Sequence, residues 1–379
     1  MSPDRLHHVV LVGGGHTHAL TLAALARRPR PGMRVTLISE RRLSPYSGML
    51  PGHVAGLYVH RDMHIDLPAL AARAGATFLC DRVRSVDPAR REVAVQDAPS
   101  IGYDTLSINV GVTPDVSDIA GAREHAILVK PIAGFLERLE MTLAAVEQGS
   151  GPRRFAVVGA GPAGIELACA LRTRLNALAA RSGVAASSFA VTLVGEDLAP
   201  SLNGRARRLV AAALSRRGVA VASSFRAVAI MPEGVRAADG RFVEADATLV
   251  STAARAPVWL AASGLPCAED GSLRTGTTLQ VMGRDEIFAV GDCARIEGHA
   301  RQKAGVFAVP VAPTLLANLA ARAVGAPMRT YRPQAAFLTL LSTGDGRAIA
   351  ARGRWFAAEG ALAWRWKDWI DRSFMAQFA

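Results

Sequence analysis

The stretch Val9-Val10-Leu11-Val12-Gly13-Gly14-Gly15-His16-Thr17-His18 places four aliphatic residues directly before three glycines. The aliphatic run predicts a buried strand, and the Ala- and Leu-rich residues that follow predict a helix. Glycines between a strand and a helix let backbone N–H groups at the helix start approach a pyrophosphate. The stretch therefore predicts a dinucleotide-binding turn.

The same design occurs a second time at Phe155-Ala156-Val157-Val158-Gly159-Ala160-Gly161-Pro162-Ala163-Gly164. Two such turns in one chain imply two dinucleotides. A third segment, Ile287-Phe288-Ala289-Val290-Gly291-Asp292, has the pattern of a buried strand that ends in Gly-Asp. The carboxylate of Asp292 could there meet a sugar-alcohol chain.

Acidic residues follow the second strand of each predicted nucleotide unit. Glu40 closes the strand Arg34–Ser39, where a ribose diol would be held, although a glutamate at a strand end is also a common surface feature. Glu196 follows the strand Ala190–Val194, and its charge would repel a 2′-phosphate, which favours NADH over NADPH. The nearby Arg205, Arg207 and Arg208 weaken that preference.

His18 occupies the position in the first turn where a third glycine is expected. That glycine serves close packing of helix on strand, so we expect a more distant helix or an imidazole that turns outward. His16 and His18 alone make a poor metal site because no carboxylate or cysteine stands near them. We predict no metal.

The 379 residues, half of them hydrophobic, suffice for two or three domains. The net charge of +12 is almost wholly arginine, since lysine occurs only at 130, 303 and 367. Basic runs with interleaved aromatic residues are absent, so no nucleic-acid partner is expected. The isolated Cys80, Cys169, Cys267 and Cys293 argue against a disulfide framework, a zinc site and a redox dithiol.

The expected location is cytoplasmic. A strand that begins by about residue 8 leaves no room for a signal peptide, and no apolar run has the length of a membrane span. Association with the inner face of a membrane stays open because the C-terminal helix is amphipathic. Its predicted apolar stripe comprises Leu362, Trp366, Trp369 or Ile370, Phe374 and Phe378, with Arg365, Asp368, Asp371 and Arg372 on the other side. Two aspartates among the basic residues favour packing on protein, within the chain or in a homodimer, over a membrane surface.

Several local expectations follow from Pro, Gly and apolar spacing. Ser44–Gly52 is too rich in Pro and Gly for regular structure and is assigned to a loop above the cofactor cleft. Pro310 should kink the helix predicted over Val306–Val324. The other predicted elements are a strand over Thr77–Val86, a helix over Pro131–Gln148, and a hairpin of Phe337–Leu341 and Ala348–Ala351.

The order of these motifs resembles the two-dinucleotide-domain flavoproteins of the glutathione-reductase structural class, over nearly the whole chain. The resemblance implies an α/β fold of two Rossmann-like domains, with the NAD domain inserted in the FAD domain, and a small C-terminal α+β segment. The predicted domains are residues 1–115 with 252–330 for FAD, 116–251 for NAD(P)H, and 331–379 for the C-terminal hairpin and amphipathic helix.

Within that class the sequence is similar to type II NADH dehydrogenases. It is more similar still to the flavoprotein found alone or fused ahead of selenide, water dikinase (selenophosphate synthase), and no kinase domain follows in this sequence. The motifs that carry this second similarity are Gly13–His18, Pro45-Tyr46-Ser47-Gly48-Met49-Leu50-Pro51-Gly52, Lys303-Ala304-Gly305-Val306-Phe307-Ala308 and Lys367–Met375.

The resemblance implies tightly bound FAD, with Asp292 on its ribityl chain, and NADH over the flavin ring. Glu166 matches the carboxylate beside the nicotinamide, although it could also be a helix-surface glutamate. The predicted catalytic residues are Glu166 and Lys303. The predicted cofactor-binding residues are Gly13, Gly15, His16, Thr17, Glu40, Ser47, Gly48, Val83, Gly111, Gly159, Gly161, Gly164, Glu196, Gly291, Asp292, Ala304 and Gly305.

Two departures from the family pattern bear on function. The family's Ala-Thr-Gly turn is Ser251-Thr252-Ala253 here, and Pro310-Val311-Ala312 replaces an expected Arg-Gln-Gly on the acceptor side of the flavin. The second change removes polar groups and weakens the case for a quinone.

The predicted function is an FAD-dependent NAD(P)H oxidoreductase. Hydride passes from NADH to the flavin, and electrons pass on to a non-disulfide small molecule: a quinone, a small oxidant, or a selenium or sulfur species. Two alternatives stay open. One is a peripheral type II NADH:quinone oxidoreductase, and the other is a flavin-dependent redox switch or selenophosphate synthase partner in selenium metabolism.

Overall fold

The fold was described from a computed structural model that covers residues 6–252, 254–299, 307–334 and 337–379. Strands alternate with helices along most of the chain. The strands are β1 His7–Val12, β2 Met33–Ser39, β3 Leu43–Pro45, β4 His64–Asp66, β5 Thr77–Cys80, β6 Val83–Asp87, β7 Glu92–Val95, β8 Ile101–Gly102, β9 Thr105–Ile108, β10 Thr113–Pro114, β11 Ala126–Leu128, β12 Arg154–Val158, β13 Ala190–Val194, β14 Val219–Ala222, β15 Ala227–Met231, β16 Gly234–Ala237, β17 Phe242–Glu244, β18 Ala247–Val250, β19 Ala254–Arg255, β20 Leu273–Thr275, β21 Gln280–Val281, β22 Arg284–Ala289, β23 Ala294–Ile296, β24 Leu338–Ser342, β25 Ala348–Arg352 and β26 Phe356–Gly360. The helices are α1 His16–Arg27, α2 Leu50–Val54, α3 Leu67–Arg73, α4 Ala122–His125, α5 Ile132–Glu147, α6 Pro162–Ser182, α7 Gly204–Arg217, α8 Trp259–Ala262, α9 Ala308–Val324 and α10 Ala361–Met375.

The first large sheet has the strand order β23-β20-β21-β22-β9-β1-β2-β5. Its β22-β9-β1-β2-β5 portion is parallel, with Val12 paired to both Ile38 and Ile108. Strand β1 is apolar on both faces because helices cover a parallel sheet on both sides. Since the carboxyl ends of these strands share one edge, the residues after Val12, Ser39, Ile108 and Ala289 come together there.

The second large sheet, β11-β18-β12-β13-β14, is wholly parallel, and Val158 pairs with both Val194 and Val250. Its strands lie between residues 126 and 250, whereas the first sheet takes strands from both sides of that range. This nested order confirms the predicted fold class of two Rossmann-like units, one inserted in the other. The boundaries at 115, 251 and 330 remain a prediction.

The two chain segments that cross between the sheets run side by side. Strands β10 and β19 pair antiparallel, and Arg255 Nε lies 3.0 Å from Asp115 Oδ2. The unusual turn Ser251-Thr252-Ala253 belongs to one crossing, but Ala253 lies outside the described residues.

The C-terminal residues form a three-stranded antiparallel sheet, β24-β25-β26, followed by α10. The predicted hairpin was therefore one strand short. Leu341 and Ile349 of this sheet share a hydrophobic cluster with Leu171 and Leu175 of α6. The sheet β24-β25-β26 thus packs on the nucleotide unit that contains β12 and α6.

Two predictions between residues 44 and 86 were wrong. Ser44–Gly52 is not irregular throughout, because it holds the end of β3 and the start of α2. Thr77–Val86 is two strands in different sheets. Asp81 separates them, since its carboxylate accepts the backbone N–H groups of Arg82, Gln96, Asp97 and Ala98 and turns the chain.

The predicted kink at Pro310 was also misplaced. Helix α9 begins at Ala308, so Pro310 lies in its first turn, where backbone N–H groups have no partner within the helix. Pro313 is the proline inside the helix, which continues to Val324.

The apolar stripe predicted for α10 is buried only at its C-terminal end, at Phe374 and Phe378. Leu362 and Trp369 are 78% and 65% exposed, and Trp366 is also exposed, whereas Lys367, Asp371 and Phe374 are buried. Spacing failed here because Lys367 and Asp371 neutralise each other in the interior. Within the described residues, no helix is long and apolar enough to cross a bilayer.

Candidate active site

One cavity of about 1690 Å³ begins at the carboxyl edge of the first sheet and reaches α6, α9 and α10. Ligand sites commonly measure about 300–1,000 Å³, so this cavity has room for more than one occupant. Its wall includes Gly13, Asp292, Glu166 and Lys367, which lie far apart in sequence.

The first glycine turn forms one end of the cavity. Gly13 has φ +94°, and a side chain at Gly15 would come within 2.5 Å of the Asn109 amide. With its oxygen turned toward α1, that amide accepts the N–H groups of Thr17 and His18 at 3.2 Å. Gly15 precedes α1 and supplies no side-chain cap of its own. Since Asn109 takes the N–H groups of Thr17 and His18, a pyrophosphate would meet the backbone N–H groups of residues 14–16.

His18 lies beneath the turn and is completely buried, contrary to the expectation that its imidazole would point outward. Its Nδ1–H donates to the Gly13 carbonyl and its Nε2 accepts from the Ser107 hydroxyl, both at 2.8 Å. Burial lowers the pKa of His18 to about 4, so the ring is neutral near pH 7. The imidazole therefore stabilises the turn through these two hydrogen bonds, at the position where a third glycine was expected.

Most of the other residues predicted for the first cofactor also line the cavity. Glu40 does so while its carboxylate lies 2.8 Å from Arg82 Nε. Thr17 does not, because its buried hydroxyl donates to the Ala308 carbonyl at 3.4 Å. The predicted residues that line the cavity here are Gly13, Gly15, His16, Glu40, Ser47, Gly48, Val83, Gly111, Gly291 and Asp292.

Asp292 follows β22 at the centre of the cavity wall. Gly291 reaches this point with φ +76°, packed on Asn109, where any side chain would collide with the amide. The Asp292 carboxylate accepts from Lys130 Nζ at 2.9 Å, across the two nucleotide units. Lys130 was not among the predicted site residues.

The second glycine turn has the expected geometry, but its glycines lie outside the cavity wall. Gly159 has φ +115° against the Ser251 carbonyl, and a side chain at Gly164 would collide with the Gly159 carbonyl. Gly159, Gly161, Gly164 and the exposed Glu196 do not line the cavity. The adjoining Pro162 and Ala163 do, so the turn approaches the cavity only through the start of α6.

Glu166, one turn along α6, faces the cavity. Its Oε1 accepts the Ser342 N–H of β24 at 2.8 Å. Desolvation by the surrounding protein raises the pKa of Glu166 to about 7, against the opposing effect of the Lys367 charge. A carboxyl group with this pKa can give and take a proton near neutral pH.

Sequence reasoning missed a polar network from α10. Lys367 Nζ donates to Asp371 Oδ2 and to the Gly48 carbonyl, both at 2.7 Å. The Tyr46 hydroxyl donates to Asp371 Oδ1 at 3.0 Å, and its ring stacks on Phe374. The signal available in the sequence was a Lys–Asp pair four residues apart on a helix.

The remaining predicted residues, Lys303, Ala304 and Gly305, lie outside the described residues. All four cysteines are described, none is disulfide-bonded, and none lines the cavity. Among the described residues, no three His, Cys, Asp or Glu side chains are arranged to hold a metal ion.

The cavity fits FAD by the chemistry of its donors and acceptors. The glycine turn before α1 suits a pyrophosphate, a carboxylate at Glu40 suits a ribose diol, and Asp292 suits a polyhydroxyl chain. Bound FAD would supply hydride acceptance from a reduced nicotinamide and electron transfer onward. Fold and cavity together define a flavoprotein with two dinucleotide-binding units.

The chain belongs to the pyridine nucleotide-disulphide oxidoreductase family, whose model matches residues 7–312. It is 30% identical to the NADH dehydrogenase-like protein MT1860 of Mycobacterium tuberculosis, over 76% of this chain and 72% of that protein. It is 24% identical to demethylphylloquinone reductase NdbB of Synechocystis, over 77% of this chain and 72% of that protein.

The structure of NDH2 from Plasmodium falciparum in complex with NADH has the same fold, with a TM-score of 0.83 at 14% identity, over 99% of this chain and 98% of that one. Family membership makes this protein an FAD-dependent oxidoreductase that oxidises a pyridine nucleotide. No cysteine lines the cavity, so this chain places no redox-active dithiol of its own there.

Proposed function

We propose that the protein passes hydride from NADH to FAD and then electrons to a quinone that enters the cavity between α9 and α10. The observation that carries this proposal is the composition of that end of the cavity. Part of its wall is apolar, formed by Phe307, Leu338, Leu340, Ile370 and Phe374, and Glu166 supplies an acid–base group there. A ring acceptor that takes up protons with its electrons needs both properties.

We infer the following roles for the cavity residues. Gly13 and Gly15 admit the FAD pyrophosphate to the start of α1, Glu40 binds a ribose, and Asp292 binds the ribityl chain. Gly159, Gly161 and Gly164 receive NADH. Glu166 gives a proton to the acceptor, and Lys367 stabilises the carboxylate that results.

The quinone proposal is stronger than Pro310-Val311-Ala312 suggested. Val311 and Ala312 are buried in the core, so Pro310 is the residue of these three that lines the cavity, next to Val309. Polar groups reach the acceptor end from Tyr46, Lys367 and Asp371 instead. The related demethylphylloquinone reductase is, by its name, an enzyme that reduces a quinone, which agrees with this acceptor class.

We also propose that α10 rests on an anionic membrane surface, where a lipid-soluble quinone would be found. Leu362, Trp366 and Trp369 are exposed on one face, beside the exposed Arg365 and Arg372. Apolar side chains flanked by arginine are typical of interfacial helices. A homodimer through the same face is the competing outcome.

The test of function is NADH oxidation by the flavin-loaded protein with and without a short-chain quinone. We expect steady turnover that depends on quinone concentration and is lost in FAD-free protein. Fast flavin reduction without turnover on any quinone would refute the quinone proposal and favour a redox switch. The similarity to the selenophosphate-synthase-associated flavoprotein supports that switch, and co-purification with selenophosphate synthase would test it.

A further inference from the structure

Lysine is rare in this chain. Of 44 basic residues only Lys130, Lys303 and Lys367 are lysines. Two of these line the cavity, and Lys303 lies outside the described residues. Four arginines line the cavity as well: Arg41, Arg82, Arg295 and Arg352. Arginine brings a wide planar fork, whereas lysine brings a compact ammonium, and the cation paired with Asp292 is a lysine.

Lys130 is held at the cavity by the second nucleotide unit. Strand β11 pairs with β18 up to Leu128, and the Val129 N–H donates to the Val250 carbonyl at 3.0 Å. The next residue places its ammonium 2.9 Å from Asp292 Oδ2, which belongs to the first unit. The inserted unit thereby contributes a positive charge to the site of the other cofactor.

Stability alone gives little reason for this ion pair. The side chains of Lys130 and Asp292 are 35% and 26% exposed, and partly solvated pairs contribute little to folding. The ammonium has three N–H groups, of which one goes to Asp292. Within the described residues, Asp292 Oδ1 accepts no hydrogen bond. Both partners therefore retain capacity toward a molecule in the cavity.

We propose that Lys130 is a flavin-contacting residue that donates to FAD beside Asp292 and stabilises the reduced cofactor over the oxidised one. Reduction adds negative charge to the flavin, so a fixed cation nearby favours the reduced form. This inference rests on the assignment of the cavity to FAD. It is independent of which acceptor the enzyme uses.

The test compares the reduction potential of bound FAD in the full-length wild type, Lys130→Met and Lys130→Arg. Methionine keeps the length of the side chain and removes its charge. We expect it to weaken binding of reduced FAD about tenfold more than binding of oxidised FAD, which equals a potential lower by about 30 mV. Lys130→Arg should keep the potential close to that of the wild type, with lower FAD affinity.

The matched control is Arg138→Met, which removes a positive charge from α5, the helix that follows Lys130, at an exposed position that does not line the cavity. Its potential should equal that of the wild type. If Lys130→Met lowers the affinity for both redox forms equally, Lys130 has only a structural role and the proposal fails. If Lys130→Met purifies without FAD, the same ratio is measured by titrating it with oxidised and with reduced FAD.

The two proposals fail in different ways. A flavin-loaded wild type that ignores quinones refutes the proposed acceptor and leaves this inference intact. An unchanged potential in Lys130→Met refutes this inference even where quinone turnover is normal.

Discussion

Asp292 is the single residue on which FAD binding should depend most. Hydrogen bonds from ribityl hydroxyls to a carboxylate are worth about 1.5–3 kcal/mol each. We expect Asp292→Ala to weaken FAD binding about 10- to 100-fold, measured by flavin fluorescence titration. Asp285→Ala, at an exposed position on β22, the strand that leads to Asp292, is the control and should purify yellow. Full flavin occupancy in Asp292→Ala would remove Asp292 from the site.

Glu166 should set a pH dependence of electron transfer to the acceptor. With its pKa raised to about 7, the carboxyl is protonated below pH 7 and loses its proton above it. We expect quinone-driven reoxidation of the reduced enzyme to fall as pH rises through 7 in the wild type. Glu166→Gln should be slower and without that inflection in stopped-flow traces. An inflection that persists in Glu166→Gln would assign the proton to another group.

The same raised pKa has a consequence for folding. The folded carboxyl holds its proton more tightly than the unfolded one, whose pKa is near 4.5. Its contribution to stability is therefore greatest below pH 4.5 and is lost as pH rises through 7. Glu166→Gln should reduce the loss of stability over that interval.

Glu196 should determine the choice of electron donor. It is exposed after β13, and Arg207 is held by the Pro200 and Leu202 carbonyls at 2.6 and 3.1 Å, away from a free role in phosphate binding. We expect a higher kcat/KM for NADH than for NADPH in the wild type and a narrower ratio in Glu196→Ala. Asp197→Ala, which removes the neighbouring charge, should leave the ratio unchanged. Equal use of both donors by the wild type would contradict this role.

At the scale of elements, α10 presents one face to the cavity and another to solvent. The inner face brings Lys367, Asp371 and Phe374 to the cavity, and the outer face exposes Leu362 and Trp366. Trp369 is exposed as well, but it also lines the cavity. Deleting the whole helix would therefore open the cavity as well as remove the outer face. Substitutions confined to the outer face separate the two.

We expect the double variant Leu362→Ser, Trp366→Ser to keep its FAD and its turnover on water-soluble quinones, because neither residue lines the cavity. It should lose most sedimentation with anionic liposomes, because two exposed apolar anchors are gone. Phe242→Ser, at another exposed aromatic on β17, is the control and should sediment like the wild type. The wild type could instead stay in the supernatant and form a dimer that the double variant dissociates. That result would show that the exposed face of α10 serves self-association.

At the scale of the whole molecule, FAD should contribute measurably to stability. A ligand that binds only the folded state at 100 times its Kd adds about 2.7 kcal/mol. For a chain of 379 residues this corresponds to a rise in Tm of about 3–4 °C. Scanning calorimetry of FAD-free protein with added FAD measures the shift. A Tm that does not change with FAD concentration would show that the cofactor does not bind the folded chain.

The sequence by itself determined the fold class and the cofactor class. Each glycine turn is a local device, in which a short aliphatic strand, glycines with little steric bulk and a helix start are contiguous in the chain. Their order, with Gly159–Gly164 between Gly13–Gly15 and Gly291–Asp292, carried the family resemblance that implied the nesting of the two sheets. Local patterns of this kind can be seen in a sequence because all their parts are neighbours.

The tertiary structure alone decided which polar groups share the cavity. Lys130 meets Asp292 across 162 residues, and Tyr46 meets Asp371 across 325. Helix α10 buries Lys367 and exposes Trp369 because an internal ion pair can satisfy a buried charge, which hydrophobic spacing does not count. His18 likewise turns inward because the hydroxyl of Ser107, 89 residues away, donates a hydrogen bond to its Nε2 there. Such pairings depend on contacts between distant segments, and the packing of those segments is what creates them.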